Sequence, residues 1–192
     1  MKLNTFARVR ELQDWRAVAF AATLIERSLP NYLLFCELCE FGDPAQYRKT
    51  LDAVWAWLAD PKQKLNLSVH LEKIEVATPD TADFDNYGVY PAVDLCMSMA
   101  ALLQLMMGDD PQGAVVVSKL SQGSVEAYID ASSEEELDAK AIKDHPLMQW
   151  EVAFQNELLD RVTEAKRGPE LTAALKQMAL EEGISNIGLE IQ

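Results

Sequence analysis

Histidine occurs twice in these 192 residues and cysteine three times. Neither His70 nor His145 sits in an H-E-x-x-H or E-x-x-H pairing, which excludes the helical metal sites built on those spacings. Cys36, Cys39 and Cys96 form an odd and sparse set, so a disulfide framework is excluded and reduced thiols are expected. The Cys36-x-x-Cys39 pair has no second Cys or His pair at zinc spacing and lacks the βαβ surroundings of a redox motif. It reads as two thiols on one turn of a core helix, with no metal and no cofactor expected. A glycine-rich phosphate loop, a nucleophile elbow and a kinase-like motif set are missing as well. Strand-like alternation is nearly absent from the first half, where apolar residues recur at helical spacing.

Positive charge is scarce too, with 17 Lys plus Arg against 31 Asp plus Glu and a net charge of -14. Nucleic acids and anionic membranes are bound through Lys and Arg, so neither is an expected partner. The cations that do occur are interspersed among the acids, which breaks up the continuous phosphate-like track of a nucleic-acid mimic. The start, MKLNTFARVRELQDW, lacks the apolar core and small-residue cleavage site of a secretory signal, so a cytoplasmic location is expected. The charge itself serves solubility, and a protein partner with a basic face or a second copy of the chain remains compatible with it.

What the chain does have is apolar mass: 49% hydrophobic against 25% charged residues, the balance of a folded globular protein and not of a disordered one. Its most apolar run is PAVDLCMSMAALLQLMM, residues 91–107, whose polar members are Asp94, Ser98 and Gln104. The run falls short of the roughly 20 apolar residues of a membrane span, has an acid in its first turn, and stops at Gly108, Asp109, Asp110 and Pro111. It reads as a core helix that other helices must wrap. The expected fold is all-α, a multihelical array around a central buried hydrophobic helix, with residues 1–192 as a single helical domain.

Around that helix, Asn4 or Thr5 can cap a short first helix, and a second begins near Asp14 and should end before Pro30, with Pro30 opening a third that Gly42 closes. Asp43 with Pro44 starts the next, and Asn66 or Ser68 starts one through His70 and Ile74. Residues 79–90 form a loop that Phe84, Tyr87 and Tyr90 should pin to the body. Asp110 with Pro111 should cap a helix through Val117 and Ile129, the acidic SSEEEL stretch another, and His145 with Pro146 a long one carrying Trp150, Phe154 and Leu158. A last helix ends at Gly183, and the alternating tail ISNIGLEIQ should lie extended along the surface.

Asp94 stands out, because a carboxylate in the most apolar part of the chain is costly unless it is hydrogen-bonded or paired. One reading makes it an anchor, accepting from N–H groups of its own turn or from Asn86 or Tyr87. The other makes it a ligand-binding or catalytic acid. The candidate site is accordingly Asp85, Asn86, Tyr87, Tyr90 and Asp94, with His70 from a neighbouring helix.

The stretches PNYLLFCELCEFGD, FDNYGVYPAVD and SNIG strongly resemble the YjaG-like family of bacterial proteins of unknown function. The resemblance spans essentially the whole chain and includes Tyr47 with Arg48. It implies an all-helical cytoplasmic protein of this length and carries over no catalytic or binding residue. A non-enzymatic protein-interaction or ligand-binding module, meeting a protein partner or another copy of itself, is the leading expectation. The alternative is a small-molecule enzyme with a pocket near Asp94, Tyr87 and Tyr90.

Overall fold

The structure, a computed structural model, describes residues 4–191. It is all-α: nine α-helices occur among the described residues, with one 3-10 turn, Thr81–Asp83, and no named strand. Several starts follow from local chemistry alone. Asn4 accepts from the N–H of Ala7 ahead of α1 (Thr5–Arg10), Asp43 from Gln46 ahead of α3 (Pro44–Ala59), and Asn66 from Val69 ahead of α4 (Leu67–Val76). Each satisfies one of the N–H groups that a helix start leaves without an internal partner.

Between α1 and α3 the expectation fails. A single helix, α2 (Trp15–Cys39), runs straight through Pro30. Proline inside a helix costs about 3 kcal/mol through its missing N–H and its clash with the preceding turn. Here every residue from 17 to 32 is buried, and that apolar burial holds the segment helical across the defect. The helix ends on Glu40 in the left-handed conformation, and Gly42 follows with φ 86°, where a Cβ would come within 2.6 Å of the Tyr32 hydroxyl.

The apolar run becomes α5 (Val89–Met107), which packs against α2, α4 and α6 (Gly113–Ser132). By length and composition its 19 residues would serve as a membrane span, but 56% of the apolar window is buried inside the protein, as in a globular core helix. It is not the most enclosed element, however. Tyr90 is 53% and Met97 48% exposed on α5, whereas α2 is covered on all sides over 16 consecutive residues, 17 to 32. The sequence disguised this, since α2 carries Glu26, Arg27, Ser28 and Asn31 inside its buried part.

Three further segments differ from expectation. Asp110 closes a turn onto the N–H of Gln112, so α6 starts at Gly113 and not at Pro111. The acidic residues 134–136 stay outside any helix, because Asp138 takes the cap of the short α7 (Ala139–Asp144) by accepting from Ala141. The tail does not lie on the surface. After α8 (Pro146–Glu164), capped by His145, and α9 (Pro169–Leu180), it folds on itself through a bridge between Ile184 and Glu190 and thrusts Ser185 and Asn186 into the interior. In the loop before α5, Phe84 does pin the chain, edge-on to Phe35 and Phe41 at 5.1 and 5.2 Å, but Tyr87 and Tyr90 remain exposed.

The approach of α6 to α5 depends on a glycine. A Cβ on Gly113 would lie 2.6 Å from the Ala101 carbonyl oxygen and 2.7 Å from the Leu105 Cβ, whereas one on Gly123 would meet nothing within 4 Å. Gly113→Ala should therefore cost about 1 to 3 kcal/mol as overpacking, and Gly123→Ala should gain up to about 1 kcal/mol of helix propensity. Urea unfolding of both variants checks this: the two midpoints should move in opposite directions, and a shared direction would refute the described contact.

Candidate functional site

A groove of about 670 Å³ opens between the start of α5 and the outer face of α6. Tyr90 and Asp94, one helical turn apart on α5, form one wall with Tyr87 from the preceding loop. Val116, Leu120, Gly123 and Ala127, at helical spacing on α6, form the other. Gly123 contributes depth because no side chain occupies its place. The Tyr87 and Tyr90 rings stand 5.8 Å apart at 54°, and Lys119 lines the groove with its ammonium 5.6 Å from the Phe6 ring.

Asp94 is the half-buried residue of the α5 wall. Its Oδ2 accepts from the Ser124 hydroxyl at 2.5 Å. That partner comes from α6 and replaces the expected donors from its own turn or from Asn86 and Tyr87. Asn86 is occupied otherwise, its Oδ1 accepting from the N–H of Gly88 at 2.6 Å. Burial pushes the Asp94 pKa above the ordinary carboxylate value, and the Ser124 hydrogen bond opposes this in part. The Tyr87 phenol is likewise raised, by burial first and by the negative charge of Asp94 second.

Of the six residues singled out from sequence, the structure brings together Tyr87, Tyr90 and Asp94. Asp85 and Asn86 are exposed and do not line the groove. His70 lies elsewhere, on α4, with its Nδ1 2.8 Å from the Thr50 hydroxyl and 3.4 Å from the Gln46 amide. Its pKa is lowered by burial and then by the charges of Lys49 and Lys73. The thiols of Cys36 and Cys96 are raised by burial, that of Cys96 to about 12, so both are neutral thiols near pH 7. Among the described residues no three of His, Cys, Asp and Glu gather as a metal-holding group.

Behind Asp94 lies a second, small cavity of about 10 Å³, whose polar lining is Asp94, Ser28, Ser98, Ser121, Ser124 and Asn186. Beyond it runs a polar network that sequence reasoning missed. Glu151 of α8 is fully buried and accepts from Ser121 at 2.5 Å and from the Gln155 amide at 2.9 Å, and it pairs with Arg27 of α2. The Arg27 guanidinium carbon lies 4.1 Å from the centroids of both Trp150 and Phe154. Asn186 donates to the Ser121 carbonyl at 3.2 Å and accepts from Asn31 at 2.8 Å. A signal was present: Glu151 and Gln155 interrupt the apolar face of α8 one turn apart, as polar residues do when they meet partners inside.

A family described as "Protein of unknown function (DUF416)" matches residues 4–190. An uncharacterized protein YjaG of Escherichia coli K12 is 37% identical over 187 residues, 96% of this chain and 95% of the relative. An uncharacterized protein of Haemophilus influenzae is 34% identical over 186 residues, 95% of each. The crystal structure of a DUF416 family protein from Shewanella baltica OS155 superposes with a TM-score of 0.90 at 40% identity, covering 99% of this chain and 100% of that one.

The raised pKa of Asp94 fixes the sign of a pH effect. Between the ordinary carboxylate value and the raised one, the folded chain binds more protons than the unfolded chain. Stability from this group therefore falls as pH rises through that window, and the penalty persists above it. Asp94→Asn, which keeps an acceptor for Ser124 and carries no charge, should melt at or above the parent's temperature at pH 7. The difference should vanish at pH values below the ordinary carboxylate pKa. A lower melting temperature for Asp94→Asn at pH 7 would make the ionised carboxylate a structural anchor instead.

Proposed function

The chain belongs to the DUF416 family, and on that premise we propose that it is a binding module whose groove between α5 and α6 receives a lysine or arginine side chain of a partner protein. The observation that carries this reading is a partly buried carboxylate with one hydrogen-bond partner in the wall of a mostly apolar groove, beside two exposed tyrosines, with the Lys119 ammonium turned to the Phe6 ring. A guanidinium or ammonium entering there would find a counter-charge at the end of its reach and aromatic faces along its stem. Exposed tyrosines around a charge-reading pocket have the composition of an interface hot spot. The net charge of -14 supplies long-range attraction for a partner with a basic face. A cytoplasmic location belongs to this reading and fits cysteines that are all free.

A second reading draws on the raised pKa of Asp94, which would suit a proton-transferring acid in a small-molecule enzyme. No histidine or second carboxylate lines the groove to share that work among the described residues, so the binding role is preferred.

The defined probe is N-acetyl-arginine amide, with N-acetyl-glutamate amide as its control, followed by amide chemical shifts. Shifts caused by the arginine probe should cluster at Tyr87, Tyr90, Asp94 and Gly123, weaken at least about tenfold in affinity in Asp94→Asn, and fade as pH falls through the Asp94 titration. Equal response to the glutamate control, or indifference to Asp94→Asn, would contradict the proposal. A photo-crosslinker at position 90 in growing cells should then attach to a protein close to a lysine or arginine.

A further inference from the structure

We propose that the cavity beneath Asp94 is a binding site for one water molecule, and that Ser28 is a positioning residue acting on the Asp94 carboxylate through it. A space of about 10 Å³ is at the lower limit for holding one water molecule, and a buried water needs two to four polar partners. Ser28, Ser98 and Asp94 are among the residues that line the space, so it is not the purely apolar kind of cavity that stays dry.

Ser28 supplies the independent observation. It is 3% exposed, lines the cavity, and its hydroxyl has no protein partner among the described residues. A hydroxyl inside a helix commonly bonds back to the carbonyl one turn earlier, as Thr23 of the same helix does with Ala19 at 2.8 Å. Ser28 makes no such bond. A polar hydrogen buried without a partner costs about 1 to 3 kcal/mol, and a water within reach of both Ser28 and Asp94 removes that cost.

The consequence falls on Asp94, which lines both the groove and the cavity. A water donating to its carboxylate adds a second hydrogen bond beside that of Ser124 and favours the ionised form against burial. The charged and titratable groups around it are Tyr87 and Tyr90 on the groove side, with Tyr128 near Tyr87, and Lys119 on α6. On the α2 side Arg27 stands beyond Ser121, its charge taken by Glu151 of α8. No titratable residue of α4 lines either space. The proposal depends on the binding reading only for the use made of the charge; the water and the titration are read without any partner.

The test combines a high-resolution crystal structure, with a thallium soak, and a carbon-13 carboxyl titration of Asp94 in the parent, Ser28→Ala and Ser28→Thr. Expected are one water in the cavity bonded to Ser28 and Asp94, and an Asp94 midpoint about half a unit or more higher in Ser28→Ala. Ser28→Thr, which keeps the hydroxyl, should titrate near the parent. Amide spectra establish that each variant is folded. A dry cavity, a thallium peak marking a monovalent cation, or a midpoint unchanged in Ser28→Ala would each overturn the proposal. Failure of the arginine probe with these results intact would instead sink the binding reading alone.

Discussion

A guanidinium and a carboxylate, both withdrawn from water, hold the middle of this molecule together: Arg27 and Glu151 have side chains 1% and 0% exposed. Leaving either charge alone would cost several kcal/mol, so neither helix can move away from the other. The pair ties α2 to α8, and its satellites extend the tie. Trp150 and Phe154 face the guanidinium, and Gln155 and Ser121 complete the carboxylate. On another side of α2 the preceding residue repeats the device, with Glu26 held by both terminal nitrogens of Arg48 at 2.7 Å and by the Trp55 indole. Two adjacent charges thus fasten α2 to two different neighbours, which is how a helix with ionic residues comes to lie at the centre.

The same network positions Asp94. Ser118, Ser121 and Ser124 form a row on α6 at three-residue steps and donate to Gln155, Glu151 and Asp94 in turn. Asp94 is therefore the outermost acceptor of a row whose inner members belong to the buried ion pair. Asn186 closes the row from behind, joining Ser121 to Asn31 and drawing the tail into the core. The Asp94 wall of the groove is thereby tied to the residues that hold the helices together.

Much of the fold was legible in the sequence because caps and turn residues act within a few positions. Asn4, Asp43, Asn66 and His145 each cap the helix they introduce. Pro30 was misread for the complementary reason: its local preference to break a helix is overridden by burial that only the whole fold provides. Charges inside α2 resemble a solvated face until their partners, 22 and 124 residues away, are known. Asp94 was found from its apolar surroundings, but Ser124, 30 residues on, was not. The stretches that carried the family resemblance do meet in space: Asn31 binds Asn186, Tyr32 stacks near Tyr47 at 4.9 Å, and Phe41 packs on Phe84.

A double-mutant cycle on Arg27→Met and Glu151→Met tests most directly whether the buried pair organises the fold. Each single change strands one charge and should lose about 3 to 5 kcal/mol in equilibrium unfolding, while the double change, which strands none, should lose far less than the sum. Additive losses, or single variants within about 1 kcal/mol of the parent, would mean that the helices are held by their apolar contacts and that the pair is incidental.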